Sequence, residues 1–197
     1  MKNAQHHSIE DYLRLDRAIR FAAAAHRKQI RKGSGIPYIS HPVAVAMILQ
    51  KYGYPLDWVI AGLLHDTIED THVTLDEIRR EFGNAVADIV EGCTEPEHRS
   101  RPWEQRKEHT IQYVQNAPLA VKIVTCADKL HNLLSILQDR EVQGEEVWQR
   151  FHRARDQQEW YYRELMKSLE MNLSPEDRPA IFDELAAAIE RVFGREA

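Results

Sequence analysis

Apolar residues recur at steps of three, four and seven along most of this 197-residue chain, and that spacing is typical of amphipathic helices. No segment alternates between apolar and polar residues for long enough to predict a strand. The first clear helical series consists of Leu15, Ala18, Ile19, Ala22 and Ala25. The sequence therefore predicts an all-α fold.

Capping signals divide this pattern into separate helices. Ser8, followed by acidic residues, predicts a helix that runs to about residue 26. Thr74, with Glu77 three residues later, predicts a capping box and a helix that ends near Phe82. A further helix is expected to begin at His41-Pro42, because proline suits a first helical turn. Others are predicted at about residues 56–67, 85–93, 119–137, 145–169 and 175–193.

Length and composition predict one domain over residues 1–197, with the C-terminal helices from about residue 145 packing on the core. The net charge of −5 gives no electrostatic footprint for nucleic acid, and no segment approaches the ~20 apolar residues of a membrane span. The N-terminal residues are polar and lack the apolar run of a signal peptide. We therefore expect a cytoplasmic protein with a small-molecule substrate.

The C-terminal helices carry apolar faces that could either close the helical bundle or pair subunits. Closing the bundle is the favoured use, and a homo-oligomer is left open. The residues of these faces are Leu165, Leu169, Ile181, Leu185, Ile189 and Val192.

Ionisable residues interrupt the most apolar helices. His65-Asp66 ends one apolar run, Asp128 interrupts another, and His41 begins a third helix. Burying such groups costs several kcal/mol unless they are paired or bind a metal. With ten histidines and two cysteines, imidazole is the expected ligand, and a mixed nitrogen and oxygen site would suit Mn²⁺, Fe²⁺ or Zn²⁺. The alternative is that the His-Asp pair only forms internal hydrogen bonds.

Glu69 and Asp70 follow the His-Asp pair at helical spacing. They lie three and four residues beyond Asp66, on a shared face one turn further along. A carboxylate at that position could handle the proton of a metal-bound water. The alternative is that Glu69 and Asp70 are only charged residues at a helix end, near the capping residue Thr71.

Three motifs resemble the hydrolase domain of the RelA/SpoT family, which belongs to the HD-domain metal-dependent phosphohydrolases. They are IPYISHP at residues 36–42, LLHDTIEDT at 63–71 and ADKLHN at 127–132. The likeness spans about residues 15–165. The chain is too short for the synthetase and regulatory domains of the long members. It therefore resembles the single-domain small alarmone hydrolases, among them the metazoan SpoT homologue, and an HD-type helical bundle is expected.

The resemblance implies one divalent metal ion, usually Mn²⁺, held by His41, His65, Asp66 and Asp128. It implies that Glu69 and Asp70 assist catalysis. Physical chemistry agrees, because a divalent ion lowers the pKa of a bound water and polarises a phosphoryl oxygen. The implied reaction removes the 3′-pyrophosphate from purine alarmones of the stringent response, ppGpp or ppApp.

The resemblance also implies substrate contacts. Arg31 and Lys32 match a pair that meets the base and the phosphates, although a basic surface loop is the alternative. Asn132 matches a residue near the ribose, and its alternative is a helix amide that faces solvent. We expect Tyr38 to support its loop by packing and Lys129 to be a solvated helix residue.

Some positions depart from the family pattern. Gln157 stands where a tyrosine is expected, and Trp103 stands where a lysine can occur. Arg153 falls where relatives can place a phosphate-binding cation. Guanine and adenine alarmones therefore both remain candidate substrates. There are two alternative functions: an HD phosphatase acting on another nucleotide such as NADPH, and a non-catalytic nucleotide-binding module.

Overall fold

The computed structural model describes residues 8–95 and 101–194, which form α-helices joined by short loops. No strand is present in these two ranges, where the one β-type pairing is an isolated bridge between Ile30 and Pro37. This confirms the predicted all-α class. None of the helices described is long and apolar enough to cross a membrane.

The chain divides into two compact units. The first contains the described residues up to Arg31 together with Ile36–Thr94, and the second contains Lys32–Gly35 and the described residues from Glu95 onward. The single domain expected over residues 1–197 stays a prediction. The first unit comprises α1 (Ile9–Ala25), α2 (Ser40–Lys51), α3 (Leu56–Leu64), α4 (Thr67–Asp70), α5 (Leu75–Phe82) and α6 (Asn84–Cys93). The second comprises α7 (Trp103–Gln115), α8 (Leu119–Gln143), a 3₁₀ helix (Gly144–Arg150), α9 (Arg155–Glu170) and α10 (Ile181–Phe193).

Both predicted capping signals in the first unit are confirmed. Ser8 Oγ accepts a hydrogen bond from the Asp11 amide at 3.1 Å, and the Asp11 carboxylate accepts one from the Ser8 amide at 3.0 Å. Thr74 and Glu77 form the same reciprocal pair at the start of α5. Each box satisfies backbone donors that the first helical turn leaves open.

A glycine allows α2 and α3 to pack closely. A Cβ atom on Gly62 would lie 2.5 Å from Leu49 Cδ1 and 3.3 Å from Val45 Cγ1. Protein interiors are close-packed, so a methyl group at this position would force the Leu49 side chain or the helices to shift. Gly62 therefore permits the close approach of the two helices that carry His41 and precede His65.

The predicted helix over residues 56–67 is in fact two helices. α3 ends at Leu64, and α4 begins at Thr67. Thr67 Oγ1 donates to the Leu64 carbonyl at 2.6 Å, and His65 Nδ1 lies 2.8 Å from the Gly62 carbonyl. These side chains satisfy helix-end carbonyls, so the chain can turn at His65 and Asp66.

In the second unit, α10 packs against α8 and α9. The apolar C-terminal residues expected to close the bundle are buried inside this unit: Leu165, Leu169, Ile181, Leu185, Ile189 and Val192. The buried Lys122 Nζ on α8 donates to the carbonyls of Met171 at 2.6 Å and Leu169 at 3.3 Å. One ammonium thereby holds the end of α9.

Three predicted helix boundaries are wrong in this unit, the first because α8 continues to Gln143 instead of ending near residue 137. Residues 145–169 do not form one helix, because the 3₁₀ helix ends at Arg150 and α9 begins at Arg155. The last helix begins at Ile181 and not at residue 175. Ser174 Oγ instead accepts a hydrogen bond from the Asp177 amide at 3.2 Å, so this capping residue forms a local turn.

Candidate metal centre

Three predicted ligands come together in the first unit. One ligand atom from each of His41, His65 and Asp66 lies within 4.8 Å of the other two. The Asp66 Oδ2 atom is 3.0 Å from His65 Nε2 and 3.5 Å from His41 Nε2. The two histidines are only 1% and 4% exposed, so the cluster is largely shielded from water.

Each ligand occupies a helix end. His41 lies in the first turn of α2, His65 is the C-cap of α3, and Asp66 is the N-cap of α4. The short link at His65 and Asp66 brings two ligands together, and the packing of α2 on α3 supplies the third. The cluster therefore depends on a helix break and on tertiary packing.

The donor set fits a divalent ion. A backbone carbonyl can only accept, so the 2.8 Å contact with the Gly62 oxygen requires that His65 Nδ1 carries the proton. This tautomer leaves the Nε2 lone pair directed at the Asp66 carboxylate. Two imidazoles and a carboxylate form a ligand set that suits Mn²⁺, Fe²⁺ and Zn²⁺.

Tyr38 has a larger role than the predicted packing. Its hydroxyl donates to Asp66 Oδ2 at 2.5 Å, and its ring lies 5.7 Å from the His41 ring and 5.0 Å from the His26 ring. Tyr38 thus orients the carboxylate of the cluster. Tyr38 lies in the turn before α2, where the His41 amide donates to the Tyr38 carbonyl at 2.9 Å and brings the two residues together.

Glu69 and Asp70 lie on α4, directly after the cluster. The Asp70 amide donates to the Asp66 carbonyl at 3.0 Å, and Asp70 Oδ2 accepts a hydrogen bond from Gln29 Nε2 at 2.8 Å. Gln29 was not predicted from the sequence. The catalytic role of the two carboxylates stays a prediction.

The predicted substrate cations lie on the loop after α1. The Arg31 guanidinium is 5.8 Å from the centre of the Tyr38 ring in the first unit, whereas Lys32 is exposed and belongs to the second. Their contact with substrate stays a prediction.

In the second unit, Asp128 is buried and held at both carboxylate oxygens. Oδ1 accepts a hydrogen bond from Asn132 Nδ2 at 2.6 Å, and Oδ2 accepts one from Lys129 Nζ at 2.6 Å. Asn132 therefore orients Asp128, while its predicted substrate contact stays a prediction. The role of Asp128 as a fourth metal ligand also stays a prediction.

The expectation that Lys129 is solvated is wrong. Its side chain is 18% exposed and pairs with Asp128. Burial alone would lower the pKa of Lys129, but the Asp128 carboxylate raises that pKa well above its usual value. The ammonium also lies 6.0 Å from the Tyr161 ring. The sequence gives no sign of this burial, because the Tyr161 ring comes from a distant part of the chain.

A second group of charged side chains in this unit is centred on the Glu95 carboxylate. This carboxylate accepts hydrogen bonds from Arg106 and Lys107 at 2.7 Å and from Thr110 at 3.1 Å. Burial would raise the pKa of Glu95, but Lys107 and Arg106 lower it to about 2. Burial lowers the pKa of Lys107, and Glu95 offsets only part of that effect. This group of charged residues was not predicted from the sequence.

Both family departures, Trp103 and Gln157, lie in the second unit, and Trp103 contacts an ion pair there. Arg153 Nε donates to Glu104 at 2.6 Å, and its guanidinium lies 6.0 Å from the Trp103 ring. Trp103 packs with the Tyr161 ring at 6.3 Å, and Gln157 is half-buried on α9. Arg153 is therefore paired with an acid in this structure, and its predicted phosphate contact stays a prediction.

Comparison with known proteins supports the resemblance. The model of the HD domain family matches residues 18–157. A human protein named guanosine-3′,5′-bis(diphosphate) 3′-pyrophosphohydrolase MESH1 is 40% identical over 143 residues, covering 71% of this chain and 76% of that protein. The Danio rerio protein of the same name is 42% identical over 118 residues, covering 58% of this chain. The match spans 64% of the length of that relative.

Solved structures agree in fold. A crystal structure of lmo0812 from Listeria monocytogenes EGD-e has a TM-score of 0.74 and 41% identity, covering 79% of this chain and 99% of that one. A structure described as a metazoan ortholog of SpoT that hydrolyzes ppGpp has a TM-score of 0.76, covering 98% of this chain and 100% of the other. At 22% identity, this second likeness supports the fold alone. The motifs, the fold and the family match agree, and the chain belongs to the HD-domain family.

Proposed function

We propose that this protein is a divalent-metal-dependent hydrolase that removes the 3′-pyrophosphate from a purine alarmone, ppGpp or ppApp, and releases pyrophosphate. The observation that carries the proposal is the buried cluster of His41, His65 and Asp66, whose ligand atoms lie within 4.8 Å of one another. The names of the MESH1 relatives support the substrate class.

The three clustered residues would hold the metal, which we propose to be Mn²⁺, and the sequence motif adds Asp128 as a fourth ligand. When bound, a divalent ion supplies a hydroxide at neutral pH and polarises a phosphoryl oxygen. His65 is prepared for coordination because its Nδ1 proton is donated to the Gly62 carbonyl. Tyr38 orients Asp66 through its hydroxyl.

Glu69 and Asp70 are proposed to handle the proton of the attacking water and to orient it. Their place on α4, within one turn of Asp66, supports this role. Asp70 is also held by Gln29, which favours a fixed carboxylate over a mobile one. Replacing either residue by its amide should lower turnover far more than it lowers metal content.

Arg31 and Lys32 are proposed to bind the phosphates and the base, and Asn132 the ribose. The chain carries a net charge of −5, so a polyanionic substrate needs local cations rather than a general attraction. Arg31 next to the Tyr38 ring places one such cation within the first unit. The proposed cytoplasmic location and the open question of a homo-oligomer rest on the sequence alone.

The experiment is Mn²⁺-supplemented turnover of ppGpp, ppApp and NADPH side by side, with all products identified. We expect pyrophosphate from one or both alarmones and no orthophosphate from NADPH. A His65→Ala variant is the inactive control. Orthophosphate release from NADPH without alarmone turnover would favour the phosphatase alternative. Nucleotide binding without any turnover would favour a non-catalytic module.

A further inference from the structure

A chain of side-chain hydrogen bonds runs from a buried histidine to Asp70. His26 is 2% exposed, and its Nδ1 lies 2.7 Å from Gln29 Oε1. Gln29 Nε2 in turn donates to Asp70 Oδ2 at 2.8 Å. All three residues belong to the first unit.

The charge of Asp70 fixes the direction of both hydrogen bonds. An ionised carboxylate can only accept, so Gln29 must present its NH₂ group to Asp70 and its carbonyl oxygen to His26. That oxygen can only accept, so the proton of His26 must lie on Nδ1. His26 Nε2 is buried and forms no hydrogen bond within the described residues, so no other bond to the ring competes for this tautomer.

His26, which anchors this chain of hydrogen bonds, is itself held at the end of α1. His26 is the C-cap of α1, and its backbone amide donates to the Ala22 carbonyl at 2.9 Å. Its ring lies 5.0 Å from the ring of Tyr38, the residue whose hydroxyl holds Asp66. One buried imidazole therefore contacts the supports of two carboxylates, Asp66 and Asp70.

We propose that Gln29 is a positioning residue that holds the Asp70 carboxylate for proton handling, with His26 as its anchor. This inference rests on the proposed function, which gives Asp70 its role. A carboxylate that already faces the reacting water loses no rotational freedom when the reaction begins, so the advantage falls on kcat. Gln29 acts only through Asp70 and does not contact substrate or metal, so replacing Gln29 should leave KM and metal content unaffected.

The first test compares turnover of three variants with that of the wild type. Gln29→Met removes the amide at similar length, and kcat should fall about 10- to 100-fold, with KM and bound Mn²⁺ within about twofold of the wild type. His26→Leu should behave like Gln29→Met. His26→Asn offers an amide donor in place of Nδ1–H and should recover most of the lost kcat. A purely structural role would make both His26 variants equally poor.

The matched control is Gln50→Met, the same substitution at an exposed position on α2, and it should leave kcat unchanged. Circular dichroism and thermal melting of each variant check that the helices form. A Gln29→Met protein that is folded and keeps the wild-type kcat overturns the positioning role.

The second test does not depend on activity. In ¹⁵N-histidine-labelled protein, long-range ¹H–¹⁵N correlations report which ring nitrogen carries the proton. We expect a neutral Nδ1–H histidine whose signals disappear in His26→Asn and change tautomer in Gln29→Met. An Nε2–H signal for His26 in the wild type overturns the hydrogen-bond chain. If the wild type hydrolyses no nucleotide, the proposed function fails and the catalytic role of Gln29 fails with it, while the tautomer still decides whether the chain exists.

Discussion

Two aspartates in the same protein have opposite electrostatic surroundings. Asp66, in the first unit, faces the imidazole nitrogens of His41 and His65 and accepts a hydrogen bond from the neutral Tyr38 hydroxyl. Asp128, in the second unit, pairs with the Lys129 ammonium and accepts a second bond from Asn132.

The difference lies in where the compensating charge comes from. Around Asp66 the ligand atoms converge as electron-pair donors, an arrangement that gains stability from an external cation. Around Asp128 the chain supplies its own cation, and the buried pair is stable before any ion arrives. Without a metal ion, Asp66 therefore lies in a cluster that lacks a cation, whereas the carboxylate of Asp128 is already paired with Lys129.

The largest expected effect is that of replacing Asp66, which should lower activity strongly but stability little. Asp66→Asn should lose bound Mn²⁺ and lower kcat/KM on the order of 10³-fold, because a catalytic metal supplies several kcal/mol of transition-state stabilisation. The melting temperature of the metal-free protein should change little, since Tyr38 can still donate to the amide oxygen. Metal analysis, kinetics and calorimetry of the metal-free form measure the three quantities, with His152→Ala as an exposed control. An Asp66→Asn protein that retains full metal content would contradict the assignment.

The internal cation is tested by Lys129→Met. Removing it leaves the Asp128 carboxylate buried without its counterion, and the free energy of unfolding should fall by roughly 2–4 kcal/mol. Lys28→Met, at an exposed position, should cost less than ~0.5 kcal/mol. Urea titrations of the metal-free proteins provide both values. Equal stability of the two variants would show that Asp128 does not depend on Lys129.

Gly62→Ala tests the packing that assembles the first cluster. A methyl group would lie 2.5 Å from Leu49 Cδ1, so the free energy of unfolding should fall by about 1–3 kcal/mol. Metal affinity should fall as well, because α2 carries His41. Gly35→Ala, where an added Cβ meets nothing within 4 Å, is the control for metal affinity. If affinity falls equally in both variants, the spacing of α2 and α3 does not govern the site.

The smallest effect concerns the second ion pair of the second unit. The pKa of Glu95 is lowered to about 2, so its carboxylate stabilises the folded state above the unfolded pKa of ~4.3 and loses that effect as pH falls toward 2. Glu95→Gln should therefore be less stable at pH 7 by on the order of 1–2 kcal/mol, since burial of Lys107 offsets part of the gain. Its stability should also vary less between pH 4.5 and pH 2.

Denaturant titrations across that pH range test this prediction. Glu108→Gln, on the exposed side of α7, should keep the pH dependence of the wild type. A Glu95→Gln protein with the wild-type pH dependence would show that Glu95 is not linked to acid unfolding.

Local signals explain which parts of this structure the sequence predicts well. The capping residue Ser8 and the capping box at Thr74 were predicted correctly, because each signal is complete within four residues. The start of α10 depends on competition between a capping turn at Ser174 and a helix that begins only at Ile181. Short-range spacing does not reveal which of the two is more stable.

The same limit applies to the site. His41, His65 and Asp66 were predicted as a group, and the structure brings them together. Gln29 was missed because its partner Asp70 lies far along the chain, and the burial of Lys129 was misjudged because the Tyr161 ring comes from another helix. A polar residue with a long side chain gives the same sequence signal whether its partner is water or a buried carboxylate.

The placement of the proposed metal ligands at separate helix ends has a consequence for unfolding. An ion held by His41 and His65 would close a loop of about 25 residues, acting as a reversible staple between chain segments that unfold apart. At a free concentration 100 times its dissociation constant, such an ion would add about 2.7 kcal/mol to the stability of the protein. A chelator would then loosen the first unit as well as stop catalysis, and heat inactivation would depend on the supply of metal.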